Sequence, residues 1–237
     1  MSGEVVKDKY PKTPYLSFSP SKHREDRYHP DEKSHFDGRE VVILEKMDGE
    51  NFNMLSNGSW HARSLNTPYH PTREWAARVA GETGYKLPDG WRVAGENLYG
   101  RHSIKYTDLR SYVQVFAVFD EEDRILSWED TVMWCELLDL HHVPVLWKGF
   151  LKFQDESPVL HTEKSRIKLD KITEEDINQK AGRTAEGYVM RVRESFPKEQ
   201  FEYNMGKWVR SDHVKTEVHW LRDWKKNGEK NELQNDA

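Results

Sequence analysis

The chain has 237 residues and a formal net charge of −5, with 36 Lys and Arg against 41 Asp and Glu. This length suits one elaborated domain, and the acidic balance argues against a protein that coats nucleic acid, although it allows a locally basic groove. The single Cys135 excludes an internal disulfide and a cysteine zinc site, and no stretch has the pattern of a signal peptide or a membrane span. We therefore expect a cytoplasmic protein with no membrane partner.

The chain divides into three segments by composition. Residues 1–38 are polar and rich in turns, which predicts an irregular N-terminal arm packed on the domain. Residues 39–210 carry the periodic apolar patterns and should form that domain. Residues 211–237 predict a C-terminal helix that frays into a charged tail.

From residue 39 the chain alternates strand and helix patterns. In chain order these are the strand "REVVILEKM", the hairpin "NFNML" and "SWHARS" turned at Asn57-Gly58, the helix "HPTREWAARVAGETG", the strands "WRVAGENLYG" and "SYVQVFAVFD", the helix "SWEDTVMWCELLDL" capped by Ser127, the strand "VPVLWKGF", the helix "TEEDINQKAG" opened by Thr173, and the strands "EGYVMRVRE" and "FEYNMGKWVR". The tail from Val214 to Trp224 has the apolar spacing of an amphipathic helix.

Lys46 in "EKMDGENF" allows two interpretations. Asp-Gly between two strand patterns is a common hairpin signal, and a lysine beside such a turn usually points into water. A lysine at the end of an apolar strand is also suited to nucleophilic catalysis, because a partly desolvated site beside another cation lowers the pKa of its amine. The four residues alone do not choose between these interpretations.

Five further features follow Lys46 in a definite order. They are Arg63 in "HARS", Glu96 in "AGENLYG", Phe119 at the end of "VFAVFD", Glu186 in "EGYVMRV" and Lys207 in "MGKWVR". Each alone has an ordinary structural role, since a strand arginine is usually a surface residue and a strand phenylalanine is usually a core residue. Their joint occurrence in this order favours a functional site.

The order and type of these motifs resemble the nucleotidyltransferase motifs of ATP-dependent polynucleotide ligases and mRNA capping enzymes, and are most similar to those of RNA ligases. The resemblance implies an α+β nucleotidyltransferase domain of the ATP-grasp-like adenylation type, with antiparallel sheets around a nucleotide pocket. About 27 residues follow the last motif, too few for a C-terminal OB barrel, so we expect none.

The resemblance also implies roles for individual residues. Lys46 would be the catalytic nucleophile that becomes attached to AMP, with Arg63 and Glu96 at the ribose or the substrate end, Phe119 stacked on the adenine and Lys207 at the α-phosphate. The full set of implied nucleotide-binding residues is Glu45, Asp48, Arg63, Glu96, Phe119, Glu186 and Lys207.

The metal and substrate contacts are implied in the same way. Glu186 and Glu96 are the candidate ligands of Mg²⁺ or Mn²⁺. Arg210 and Lys215 are candidates for a substrate phosphate, because Val209 stands where the family often has a second lysine. Arg210 would point to the opposite face of a regular strand from Lys207.

The implied activity is ATP-dependent sealing of RNA 5′-phosphate and 3′-hydroxyl ends, through a lysyl-AMP intermediate and an adenylylated 5′ end. Three alternatives stay open: a DNA-nick ligase, a GTP-dependent capping-type nucleotidyltransferase, and a non-catalytic module that binds nucleotides or nucleic acid. A repair partner protein that supplies further substrate-binding surface also stays open.

Overall fold

The computed structural model describes residues 8–21, 26–211 and 224–228, which form an α+β protein. The helices within these residues are α1 (Glu32–Phe36), α2 (Glu74–Thr83), α3 (Trp128–Leu137), α4 (Glu174–Ala181) and α5 (Phe201–Asn204). The strands are β1 (Glu40–Glu45), β2 (Glu50–Leu55), β3 (Trp60–His61), β4 (Arg92–Asn97), β5 (Val113–Phe119), β6 (Arg124–Ile125), β7 (His141–His142), β8 (Val145–Gln154), β9 (Ser157–His161), β10 (Arg166–Lys168), β11 (Gly187–Val192), β12 (Phe196–Pro197) and β13 (Met205–Val209).

The chain folds into two compact units. Unit 1 contains residues 48–143 together with short described segments from either end of the chain, and unit 2 contains the described residues of 11–47 and 144–213. In the parts of both units that the structure describes, no helix is long and apolar enough to cross a membrane.

Unit 2 is built on an antiparallel sheet with the strand order β10-β9-β8-β1-β11-β13. The inner strand β1 pairs with β8 on one side and β11 on the other. Residues 41–44 of β1 are all buried, as a continuous apolar run predicts for a strand covered on both faces. The aromatic rings of Tyr188 and Trp208, which lie opposite each other on β11 and β13, stack with their centroids 5.7 Å apart.

The N-terminal segment is tied to this sheet by backbone hydrogen bonds. The N–H of Leu16 donates to the carbonyl of Lys207, and the N–H of Lys207 donates to the carbonyl of Pro14. The segment then forms the short helix α1, whose N-cap Asp31 accepts from the N–H of Ser34. The division into an arm, a domain and a C-terminal segment stays a prediction.

Unit 1 is built on a second antiparallel sheet with the strand order β6-β5-β4-β2-β3, and β7 lies parallel beside β5. Helices α2 and α3 supply part of its apolar core, which contains Phe52, Met54, Ala76, Ala80, Leu87, Val93, Val113, Val115, Val118, Cys135 and Leu138. Burial raises the pKa of the Cys135 thiol to about 12, so this cysteine is an inert core residue.

Most of the predicted elements are present. The hairpin of β2 and β3 turns at Asn57-Gly58, where Gly58 has a φ of 77°, and Ser127 and Thr173 cap α3 and α4 as predicted. Helix α1 and strands β6, β7, β9, β10 and β12 were not predicted, because each is short and carries little periodic pattern. The strand predicted over "FEYNMGKWVR" was wrong in its first part, where Phe201–Asn204 form α5 and only Met205–Val209 form β13. The amphipathic helix predicted from Val214 lies outside the described residues, apart from Trp224.

His29 gives unit 2 a pH-dependent stability. Its Nε2–H donates to the carbonyl of Tyr203 at 3.1 Å and its Nδ1 accepts from the N–H of Asp31 at 3.2 Å, so the buried ring is neutral. Burial lowers the pKa of His29 from 6.5 to about 4. The unfolded chain therefore binds a proton on His29 that the folded chain does not bind. The contribution of the neutral ring to the unfolding free energy is complete above pH 6.5 and is lost as the pH falls from 6.5 to 4.

We expect His29→Gln to reduce this pH dependence, because the glutamine amide can donate and accept in the same places without titrating. Between pH 7 and pH 4.5 the wild type should lose about 2 to 3 kcal/mol more unfolding free energy than the variant. Urea unfolding curves at the two pH values measure this difference. Equal losses in the two proteins would contradict the assignment.

Candidate active site

Lys46 lies at the end of β1, with its amine against a buried carboxylate. Its Nζ donates to Oε2 of Glu186 at 2.6 Å, and the side chains are 25% and 3% exposed respectively. The ion pair therefore lies at the edge of solvent with its acidic member inside. A small molecule can reach the amine, whereas Glu186 is held in place by the protein.

The sheet explains why these two residues meet. The β1–β11 ladder continues beyond Glu45 through the N–H of Lys46, which donates to the carbonyl of Gly187 at 3.0 Å. A Cβ on Gly187 would lie 2.0 Å from the carbonyl oxygen of Trp208, so only glycine allows this close approach of β11 and β13. Glu186 precedes this glycine and is thereby placed beside Lys46.

Lys207 lies on the same face of the unit 2 sheet as Lys46. Leu44 is opposite Val189, and Val189 is opposite Lys207, so these three side chains share a face, and alternation adds Lys46 to it.

The ammonium of Lys207 has partners of its own. It contacts the carboxylate of Asp26 at 2.9 Å and lies 4.1 Å from the centroid of the Tyr15 ring. The arm thus holds Lys207 with one carboxylate and one aromatic face. Sequence reasoning missed Asp26 and Tyr15, because no motif links them to a lysine about 180 residues away.

Two other predicted residues of unit 2 are bound within the fold. The Glu45 carboxylate is fully buried and accepts from two nitrogens of Arg183 at 3.1 and 2.9 Å, and the predicted nucleotide contact of Glu45 stays a prediction. Arg210 pairs with Glu174 at 2.7 Å, near the start of α4. Lys215, the other phosphate candidate, lies outside the described residues.

Asp48 and Gly49 are structural residues of unit 1. Oδ2 of Asp48 accepts from the N–H of Ser103, the hydroxyl of Ser103 and the N–H of Ile104, at 2.8, 2.6 and 2.8 Å. A Cβ on Gly49 would lie 2.6 Å from the carbonyl oxygen of Asn97. The pair does not turn a hairpin, since β1 and β2 belong to different sheets.

Glu96 and Arg63 both lie in unit 1, where Glu96 is partly buried and Arg63 is exposed. Oε1 of Glu96 accepts from the N–H of Gly49 at 3.2 Å, on a strand position opposite Asn51 and Gln114. Arg63 is exposed after β3. Their predicted contacts with ribose or substrate stay predictions.

Phe119 is a core residue. Its side chain has no exposed surface, the guanidinium of Arg92 lies 3.5 Å above its ring, and the ring of Tyr10 packs edge-on at 6.1 Å. A base cannot stack on this ring, so the role predicted for Phe119 does not fit the structure. Its motif, an aromatic residue before aspartate at a strand end, does not show which face of the strand is buried.

Phe116 is the aromatic residue of β5 that keeps an accessible ring. The β4–β5 register shifts after Ala94, which leaves Phe116 as an extra residue opposite no partner. It is partly exposed, with Tyr10 packed edge-on at 4.9 Å. A bulge of this kind redirects a side chain, and its position could not be read from the alternation of the sequence.

Comparison with models of protein families shows which family the chain belongs to. The model of the RNA ligase family matches residues 39–209, which is more than half of the chain. The chain belongs to the RNA ligase family. No curated protein matches it.

Solved structures agree with this RNA ligase fold. An archaeal ATP-dependent RNA ligase (form 2) is similar at 18% identity with a TM-score of 0.51, over 85% of this chain and 48% of that one. An RNA ligase of Naegleria gruberi with PPi is similar at 14% identity and a TM-score of 0.51, over 92% and 63%. A lysine mutant of the latter ligase with ATP and Mn is similar at 14% identity with a TM-score of 0.51, over 86% of this chain and 59% of that one.

At these identities the likeness concerns the fold alone, and it confirms the predicted α+β nucleotidyltransferase fold. This RNA ligase family member spans about half to three fifths of the length of those ligases.

The residues around Lys46 fit a divalent metal that arrives with a nucleotide. Among the described residues, no three His, Cys, Asp or Glu side chains converge to hold a metal by themselves. Mg²⁺ usually takes one or two protein carboxylates and completes its shell with phosphates and water. Glu186 is a carboxylate donor of this kind, placed beside the predicted nucleophile.

Asp48 should stabilise the RNA ligase fold, because its buried carboxylate anchors the segment at Ser103 and Ile104. Asp48→Ala removes the acceptor of two backbone N–H groups, and we expect a loss of about 2 to 3 kcal/mol in unfolding free energy. Ser103→Ala removes only the hydroxyl donor and should cost about 1 kcal/mol. Urea unfolding of both variants measures these values, and an Asp48→Ala loss no greater than that of Ser103→Ala would contradict the anchoring role.

Proposed function

We propose that this member of the RNA ligase family is an ATP-dependent RNA ligase that seals 5′-phosphate and 3′-hydroxyl ends through a lysyl-AMP intermediate on Lys46. The observation that carries the proposal is the Lys46 amine, held 2.6 Å from Glu186 at the solvent edge and on the same sheet face as Lys207. A solvated hairpin lysine would have no such buried partner.

The first step is transfer of AMP to the protein. The Lys46 amine loses a proton and attacks the α-phosphorus of ATP, so an N–P bond forms, the bond to the bridging oxygen breaks and pyrophosphate leaves. Glu186 orients the amine through its hydrogen bond. Lys207 would compensate the charge that develops on the α-phosphate, exchanging its contact with Asp26 for a phosphate oxygen.

The next two steps involve the RNA ends. A 5′-phosphate oxygen attacks the phosphorus of lysyl-AMP, the P–N bond breaks and the lysine regains a proton, which leaves an adenylylated 5′ end. The 3′-hydroxyl then loses its proton and attacks the 5′-phosphorus, so the phosphodiester forms and AMP leaves. Positioning and charge compensation supply most of the rate enhancement in such reactions.

A divalent metal, Mg²⁺ or Mn²⁺, would be held by Glu186 together with the nucleotide phosphates. It would supply further neutralisation of phosphate charge. Glu96, the second carboxylate implied by resemblance, accepts from the N–H of Gly49 through Oε1, and its role as a metal ligand stays a prediction.

One prediction of the proposed function concerns the covalent adduct. Incubation with ATP labelled at the α-phosphate should label the wild type, leave Lys46→Ala unlabelled and slow labelling of Glu186→Gln about ten-fold or more, because the hydrogen bond that orients the amine is weakened. Lys86→Ala is the matched control, since Lys86 is an exposed lysine of unit 1, and it should label like the wild type. Gel autoradiography and intact mass measure the adduct.

Other outcomes of this experiment identify the rival functions. An adduct formed only from GTP indicates a capping-type enzyme, and no adduct with any nucleotide indicates a binding module. Label that survives in Lys46→Ala would show that another residue is the nucleophile.

Another prediction separates transfer of AMP to the protein from the sealing of an adenylylated RNA end. Lys46→Ala should still seal RNA whose 5′ end has been adenylylated chemically, at a reduced rate, because this substrate already carries the AMP. The same variant given 5′-phosphate RNA and ATP should produce no joined strand. Denaturing gels of single-stranded and nicked substrates, in RNA and DNA, measure both activities, and loss of both in a folded variant would show that Lys46 acts beyond accepting AMP.

A further inference from the structure

One face of the unit 2 sheet is exposed and basic at its outer strands. Along β8 every second residue is exposed from Lys148 through Phe150 to Lys152, so these side chains project from one face. Phe150 is 44% exposed, although it lies within a ten-residue strand where an apolar ring could have been buried.

The strand register adds two rows to this face. His161 of β9 and Arg166 of β10 lie level with Phe150, and Val159 and Lys168 lie level with Lys152. We call Lys148, Phe150, Lys152, His161, Arg166 and Lys168 the basic face. Val159 is only 3% exposed, which is expected when the aliphatic stems of two flanking lysines cover it.

No ion pair among the described residues neutralises the positive charge of the basic face. Among the described residues, no carboxylate forms an ion pair with Lys148, Lys152, Arg166 or Lys168. The neighbouring carboxylate of Glu40, opposite Phe150, is 2.6 Å from Arg193 and is balanced by it. Four cations therefore lie together on a chain whose net charge is −5.

Two further observations point to a ligand. Nε2 of His161, between the Phe150 and Arg166 positions, is buried and has no hydrogen-bond partner among the described residues. A cavity of about 450 Å³ borders the edge strand β10 and is lined by Lys168, Lys171 and Lys180 among others. Arg166 also lines this cavity, and Asp176 is the acidic residue of the lining, so cations outnumber acids there and the basic surface continues past the edge of the sheet.

We propose that the basic face binds single-stranded RNA, with phosphates on its lysines and Arg166 and a base stacked on Phe150. An exposed aromatic ring among unpaired cations on a sheet is the combination that single strands require, because bases stack on the ring while the cations follow the backbone. A purely acidic partner would leave the exposed ring without a role. The inference rests on the proposed function, since the RNA reaches this face as the strand to be sealed.

The test is binding of a fluorescent single-stranded RNA, followed by anisotropy at several salt concentrations. Phe150→Ala should weaken binding about ten-fold at every salt concentration, because one stacked base is lost. Lys152→Glu should weaken binding and reduce the slope of log affinity against log salt by about 0.7 or more, because one phosphate contact is lost. Circular dichroism of both variants checks that they are folded.

Matched controls come from unit 1. Tyr85→Ala removes a ring that is 67% exposed, and Lys86→Glu changes the net charge by the same amount as Lys152→Glu. Both controls should bind within two-fold of the wild type. Binding of Phe150→Ala and Lys152→Glu within two-fold of the wild type would overturn the proposal.

Two additional measurements distinguish RNA binding from binding of an acidic protein and from the ligase reaction. Poly-glutamate that displaces RNA at equal charge concentration would overturn the proposal in favour of an acidic protein partner. Adduct formation by the wild type with ATP alone, measured in parallel, tests the proposed function separately. If the wild type forms the adduct and the variants bind RNA as the wild type does, only the proposal for the basic face is overturned. If RNA binding depends on the basic face but the wild type forms no adduct, only the proposed ligase function is overturned.

Discussion

The antiparallel pairing of β1 with β11 determines where Lys46 lies. The ladder runs past the end of β1 to the hydrogen bond between Lys46 and Gly187, and this contact brings Glu186 against the amine across 140 positions of sequence. The close approach of β11 and β13 at Gly187 then places Lys207 on the same face. The predicted nucleophile and the predicted phosphate lysine of unit 2 are therefore both positioned by strand register.

The carboxylates of the lysine motifs have separate tasks because each buried charge needs a partner. Glu45 is taken by Arg183, Asp48 by the backbone and hydroxyl groups at Ser103 and Ile104, and Glu186 by the lysine itself. Glu186 contacts the amine of Lys46 at 2.6 Å. Each of the three carboxylates that the motifs associate with one lysine thus has a partner within the fold.

Local charge in this protein differs from its average charge. The chain as a whole is acidic, which argues against extended binding to a phosphate backbone. The period-two exposure of β8 nevertheless collects lysines and an aromatic ring on one face, with the cations of β10 in register beside them. Surface patterns of this kind depend on pairing between strands, so composition cannot report them.

The sequence by itself determined the strands and helices with strong periodicity, the turn at Asn57-Gly58, the caps at Ser127 and Thr173, and the set of motifs that identified Lys46, Glu186 and Lys207. These features depend on residues that are neighbours in the chain or on motif order. Tertiary structure decided which side chains are accessible: it buried Phe119 under Arg92, left Phe116 open at a bulge, and paired Glu45 with Arg183 and Lys207 with Asp26. The physical reason is that burial and ion pairing join residues of different strands and segments that lie far apart in the chain, and a local pattern carries no information about such partners.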